Sequence, residues 1–218
     1  MTLPELLGNP CPLFVAGTDT GVGKTWVSCR LLEAWHRRGH RVGAMKPVAC
    51  GDRLDAAALL EACNEPSLDL DTVNPCHLLM PAAPYAAGLV ENRWPDPDLL
   101  ARQAKGAAVG FDGFVVEGVG GWEVPFTDKI LGSDFALDLG FPVLLVADNR
   151  LGALNHVILT VNAIRARGLK CTGVILNHVA EERDSATLMN RKILDEVLGK
   201  GTVLAEILHG EERLELAD

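Results

Sequence analysis

Residues 17–25 read GTDTGVGKT. The stretch ends in the Gly-Lys-Thr of a phosphate-binding loop, but the usual spacing places a glycine where Thr18 stands, and the glycine comes one step earlier, at Gly17. The flanking sequence supports the loop. Residues 12–16 are a short apolar run, while Val27, Leu31, Ala34 and Trp35 recur at helical spacing until Gly39 closes the pattern. Strand, glycine-rich loop and helix together are the context in which backbone N–H groups curl around an anion and a helix N-terminus adds partial positive charge. In that setting Lys24 supplies a point charge for outer phosphates and Thr25 a hydroxyl for magnesium.

The same alternation continues along the chain. Residues 41–45 read as a second strand stopped by Pro47, residues 54–61 as a short helix, and residues 97–109 as another helix. Residues 113–117 and 142–147 are apolar runs of buried-strand length, followed by strands at residues 172–176 and 202–207. Leu154, Ile158, Val161 and Ile164 form one helix face; Ala186, Met189, Ile193 and Val197 form another. Residues 66–97 are proline-rich with little periodicity and read as a long surface-crossing segment carrying function. Apolar strands alternating with amphipathic helices predict an α/β fold of the P-loop NTPase type: one domain over residues 1–218, with a mostly parallel sheet and helices on both faces.

Composition narrows the partners. The chain has 218 residues, 48% hydrophobic and 22% charged, with a net charge of −9. Such an acidic chain offers no basic face to nucleic acid, so an anionic ligand must be held by local cations and backbone dipoles. No apolar run is long enough for a membrane helix, and no Lys or Arg precedes Lys24, so a cytoplasmic protein is expected. Cys11, Cys29, Cys50, Cys63, Cys76 and Cys171 are scattered without a C-x-x-C pair and read as reduced thiols.

Ligands of parallel sheets bind at the carboxyl ends of the strands. There Glu117 ends a strand inside Val-Glu-Gly-Val-Gly-Gly, and Asp55 lies beyond the second strand; both are candidate carboxylates for magnesium. Lys46 ends the second strand and is aimed at the rim by Pro47. A second lysine beside a phosphate loop makes chemical sense when the acceptor is also an anion, because two like charges must be brought together.

The segments GTDTGVGKT, KPVACG, VEGVGGWEVP and LGALNH, in order between about Phe14 and Asn177, together resemble the dethiobiotin synthetase family, whose loop carries the same extra residue. The resemblance implies an ATP- and Mg2+-dependent cyclo-ligase. Its substrates are 7,8-diaminopelargonate, CO2 or bicarbonate, and ATP. A carbamate formed on one amine attacks the γ-phosphate, and the second amine closes the cyclic urea. Lys24 and Lys46 are then the catalytic cations, and Thr25, Asp55 and Glu117 the magnesium shell. Nucleotide contacts fall on Thr20, Gly21, Val22, Gly23, Lys24, Thr25 and Trp26, and on Gly118, Val119 and Gly120; the amides of residues 118–121 form a donor array. Asn177, with His178 beside it, matches the adenine-reading position. Cys50, standing where the family usually has Ser or Thr, Gly120, and Asn155 contributed by the neighbouring subunit match substrate contacts, which implies a homodimer. Two alternatives share the fold. One is a partition-type ATPase, disfavoured by Asp19 where that class has lysine; the other is a nucleotide-binding regulatory or amidotransferase-associated domain.

Overall fold

In the computed structural model, which describes residues 1–182, 185, 187–211 and 214, the chain begins α1 (Leu3–Gly8), β1 (Pro12–Gly17), α2 (Lys24–Arg37), β2 (Val42–Met45), β3 (Val48–Cys50) and α3 (Leu54–Cys63). It continues α4 (Leu70–Val73), β4 (Cys76–Leu78), α5 (Pro84–Glu91), α6 (Pro97–Ala108), β5 (Gly113–Glu117) and α7 (Gly132–Leu139). The last elements are β6 (Val143–Asp148), α8 (Ala153–Ala166), β7 (Cys171–Asn177), α9 (Thr187–Leu198) and β8 (Val203–Ile207).

Six strands form one all-parallel sheet in the order β2-β5-β1-β6-β7-β8. Every strand therefore ends at the same rim. The order reverses around β1, with β5 on one side and β6 on the other, which is where an open α/β sheet leaves a ligand crevice. Leu13 and Val15 enter one core layer with Trp35, Val115 and Val146, while Phe14 and Ala16 enter the other with Phe114, Val116 and Leu145. This two-sided burial explains why β1, β5 and β6 read as continuous apolar runs. Trp35 is fully buried and its Nε1–H donates to the Leu6 carbonyl at 2.9 Å, so α1 is fastened across α2.

Three parts of the sequence reading need correction. Residues 66–97 are not a structureless crossing but hold α4, β4 and α5, and β4 pairs in parallel with β3 as a separate two-stranded sheet. Strands of three residues are too short to print a period of two. The helices α1 and α7 were also not foreseen. On α9 the buried face is Thr187, Asn190 and Leu194, whereas Met189 and Val197 are exposed. Hydropathy misses this face because Asn190 is polar and spends its amide on Asn149 Oδ1, at 2.8 Å, and the Arg150 carbonyl. Ala186, placed on that helix by its spacing, lies outside the described residues. All six cysteines are free, and no helix among the described residues is long and apolar enough to cross a membrane.

Candidate active site

The loop after β1 explains its own glycine spacing. The Lys24 side chain folds back over the end of the strand, so a Cβ on Gly17 would stand 2.9 Å from Lys24 Nζ and 2.8 Å from the Asp19 carbonyl oxygen. The early glycine makes room for the lysine. Gly23 has φ +90°, and a Cβ there would come within 2.1 Å of Asn177 Nδ2. Asn177, at the end of β7, donates that amide to the Val22 carbonyl at 3.0 Å and so braces the loop from two strands away.

Lys24 is buried, and its ammonium donates to the carbonyls of Gly120, at 2.7 Å, and Asp19, at 3.1 Å. Desolvation, then the nearby charge of Lys46, bring its pKa down to about 8. Thr25 donates its hydroxyl to Glu117 Oε1 at 2.8 Å. Lys46 follows β2 and is 4% exposed; its ammonium lies 2.5 Å from Glu117 Oε1, 2.9 Å from Asp55 Oδ2 and 3.4 Å from the Gly118 carbonyl oxygen. Burial opposes its charge, but Glu117 and Asp55 outweigh that and hold its pKa above the ordinary lysine value. Asp55 shows the reciprocal balance: burial pushes it up, while Lys46, Thr25 and Lys24 carry it below the usual carboxylate range.

Glu117 is wholly buried, and its second oxygen, Oε2, has no hydrogen-bond partner among the described residues. An orphaned carboxylate oxygen inside a protein asks for a cation. Among the described residues there is no cluster of three or more His, Cys, Asp or Glu side chains able to hold a metal alone. Thr25, Asp55 and Glu117 instead make a sparse oxygen set, which suits an ion that takes its remaining ligands from phosphate and water.

A cavity of about 590 Å³ opens over this cluster, bounded on its polar side by Thr20, Gly21, Gly23, Lys24, Thr25, Lys46, Asp52 and Asp55. Its other walls are Ala49, Cys50, Pro81, Ala82, Ala83, Val119, Gly120 and Val124. The Cys50 thiol is pushed up to about 11, by burial and then by Cys76, and stays neutral. A second cavity of about 410 Å³ meets the first at Gly23 and is lined by Trp26, Arg30, Asn177, His178, Val179 and residues 208–211. The Arg30 guanidinium stacks over Trp26 at 5.6 Å, and buried His178 contacts Glu206 Oε1 at 2.7 Å through Nε2.

Most residues named from the sequence thus converge on two adjoining cavities. One does not behave as anticipated. The Gly118 N–H is bonded to the Val15 carbonyl at 3.0 Å, so the sheet uses it and the donor array after β5 loses that member. Asn155 is exposed on α8 and lines neither cavity of its own chain, as a residue expected to serve a neighbouring subunit need not. Asp52, Pro81, Ala82, Ala83 and Val124 line the first cavity without having been singled out. The proline-rich composition marked the segment holding residues 81–83, and Val124 lies within the motif VEGVGGWEVP without having been given a role.

A parallel sheet with reversed order at β1, a glycine loop opening α2, and lysine, threonine and a strand-end carboxylate at one rim define a P-loop NTPase. The sequence matches a family described as an AAA domain over residues 12–210. The septum site-determining protein MinD of Pyrococcus horikoshii, solved with Mg-ADP, shares the fold at a TM-score of 0.59 and 15% identity, covering 91% of this chain and 81% of that one. Curated relatives are closer. The ATP-dependent dethiobiotin synthetase of Akkermansia muciniphila is 43% identical over 93% of this chain and 94% of its own length. That of Aromatoleum aromaticum is 42% identical over 78% and 79%. The chain belongs to the dethiobiotin synthetase family.

Proposed function

We propose that the protein converts 7,8-diaminopelargonate, CO2 and ATP into dethiobiotin, ADP and phosphate. One amine of the diamine adds to CO2 and loses a proton, giving a carbamate. A carbamate oxygen displaces ADP from the γ-phosphorus and forms a carbamic-phosphoric anhydride. The neighbouring amine attacks the carbamoyl carbon, expels phosphate and closes the five-membered urea. No side-chain nucleophile enters this sequence, so the protein's work is placement and charge.

The observation that carries the reading is the clustering of two ammonium groups at one rim, beside a cavity with an apolar wall. Lys46 stands between Glu117 and Asp55, and Lys24 lies over the loop within the same cavity. Both offset the repulsion between an anionic carbamate and the terminal phosphate. Ala49, Pro81, Ala82 and Val124 suit the aliphatic chain of the diamine, and Cys50 with Gly120 faces its polar end. Thr20 to Trp26, Val119 and Gly120 carry the phosphates and sugar, while Asn177 and His178 border the cavity that suits the base. Thr25, Asp55 and Glu117 would hold Mg2+, which on binding neutralises phosphate charge. Asn155, lying outside its own chain's cavities, is assigned to the substrate carboxylate of a partner subunit in a homodimer.

The test is phosphate release measured with ATP, 7,8-diaminopelargonate and bicarbonate supplied singly and together. Release is expected only with all three. Release that ignores the diamine would defeat the ligase reading in favour of a plain ATPase.

A further inference from the structure

Asn74 lies outside both cavities, yet it ties together the two segments that carry Lys46 and Asp55. It is 2% exposed and follows α4. Its side-chain Nδ2 donates to the Lys46 carbonyl at 2.8 Å and to the Cys76 carbonyl at 3.1 Å, while its Oδ1 accepts from Arg53 Nε at 2.9 Å. Arg53 precedes α3 and stands two residues before Asp55. Its Nη2 donates to the carbonyls of Leu70, at 2.8 Å, and Asn74, at 2.9 Å, and its Nη1 to Asp71 Oδ1 at 2.9 Å.

The arrangement answers a local need. Pro47 has no N–H and ends β2, so the backbone around Lys46 leaves the main sheet at the moment its side chain must be aimed. Residues 73–76 take over: the Lys46 N–H donates to the Val73 carbonyl at 2.7 Å, and the Cys76 N–H to the Pro47 carbonyl at 3.2 Å. Asn74 closes this frame from inside, with two donors for two carbonyls and one acceptor for the guanidinium. Only an amide offers both in that shape.

We propose that Asn74 is a positioning residue for the reaction. It fixes where Lys46 stands relative to Asp55, through the Lys46 carbonyl on one side and Arg53 on the other. This rests on the ligase reading above. Asp has nearly the same shape and keeps the Arg53 partner, but it sets carboxylate oxygens against two carbonyl oxygens and can no longer hold the Lys46 backbone.

Four proteins are compared by diamine-dependent phosphate release: wild type, Asn74→Asp, Lys46→Met and the double variant. Asn74→Asp is expected to lower kcat about 10- to 100-fold, as misplacement on the order of 1 Å does, and to leave the KM for ATP within about threefold. In the Lys46→Met background the same substitution is expected to change kcat less than about threefold, because the group it positions is gone. Thermal melts report the structural cost separately and should shift in both backgrounds. A wild-type kcat in Asn74→Asp, or an equal loss in both backgrounds, overturns the proposal. If Asn74→Asp does not fold, Arg53→Lys, which keeps the charge but loses the fork, takes its place with the same two outcomes. A wild type without diamine-dependent release overturns the ligase reading itself, and that result is visible before any variant is made.

Discussion

Replacing Lys46 by Met separates the structural work of this side chain from its chemical work. Its ammonium is shared between a fully buried carboxylate, Glu117, and a half-exposed one, Asp55. Removing the cation leaves Glu117 with only the Thr25 hydroxyl at Oε1 and nothing at Oε2. Breaking a buried pair from one side costs roughly 3–5 kcal/mol, and the open flank at Asp55 puts this case near the lower end. About 3 kcal/mol in a domain of this size corresponds to a melting temperature lower by about 6–12 °C. Adding Glu117→Gln should return much of that stability, since a neutral pair no longer strands a charge. Activity should follow a different course. Losing the ammonium beside the phosphate costs roughly 3 kcal/mol of barrier, on the order of a hundredfold in rate, and Glu117→Gln should not restore it. Urea denaturation of the four proteins of this cycle, paired with diamine-dependent phosphate release, reads both quantities. Strictly additive stability losses would contradict the buried Lys46–Glu117 pairing, and a Lys46→Met enzyme at full rate would remove Lys46 from the chemistry.

Lys24→Ala should likewise slow turnover on the order of a hundredfold, read by the same assay. With a Lys24 pKa of about 8, its contribution to the stability of the ligand-free protein is fully present above the unfolded value near 10.5 and is lost as pH falls through 8. Wild type minus Lys24→Met in urea melts should therefore rise with pH across that window, and calorimetry at pH 8 should show ATP binding taking up about half a proton. Gly23→Ala forces an L residue to φ +90° against Asn177, so nucleotide affinity should fall about tenfold or more by fluorescent-ATP titration, and unchanged affinity would contradict the loop geometry. If Asn155 serves the partner's cavity, equal mixing of Asn155→Ala with Lys46→Met should give about a quarter of the wild-type rate, since half the dimers are mixed and each holds one intact site. A rate equal to the mean of the two variants would place Asn155 outside the partner's site.

The elements that face core on both sides were legible. β1, β5 and β6 carry their identity as continuous apolar runs, and the loop between β1 and α2 announces itself by composition. Lys46 could be placed at the rim because Pro47 ends its strand. What stayed hidden depends on contacts far apart in sequence. β3 and β4 are three-residue strands that exist by pairing with each other, and α9 buries an asparagine that hydropathy reads as surface. Asn74 was invisible for the same reason: its importance lies in bonds to Lys46 and Arg53, 28 and 21 residues away. The spent N–H of Gly118 is likewise a fact of the sheet, not of the glycine cluster in which it sits.

In the proposed reaction an oxygen from carbon dioxide attacks the γ-phosphorus at the Lys24–Lys46 rim. Turnover with freshly dissolved C18O2 in unlabelled water, followed by mass spectrometry of the released phosphate, tests it directly. One labelled oxygen per phosphate is the expected result, matched by dethiobiotin formed in equal amount. Phosphate free of label, its fourth oxygen taken from solvent, would mean that water, not a carbamate, is the nucleophile.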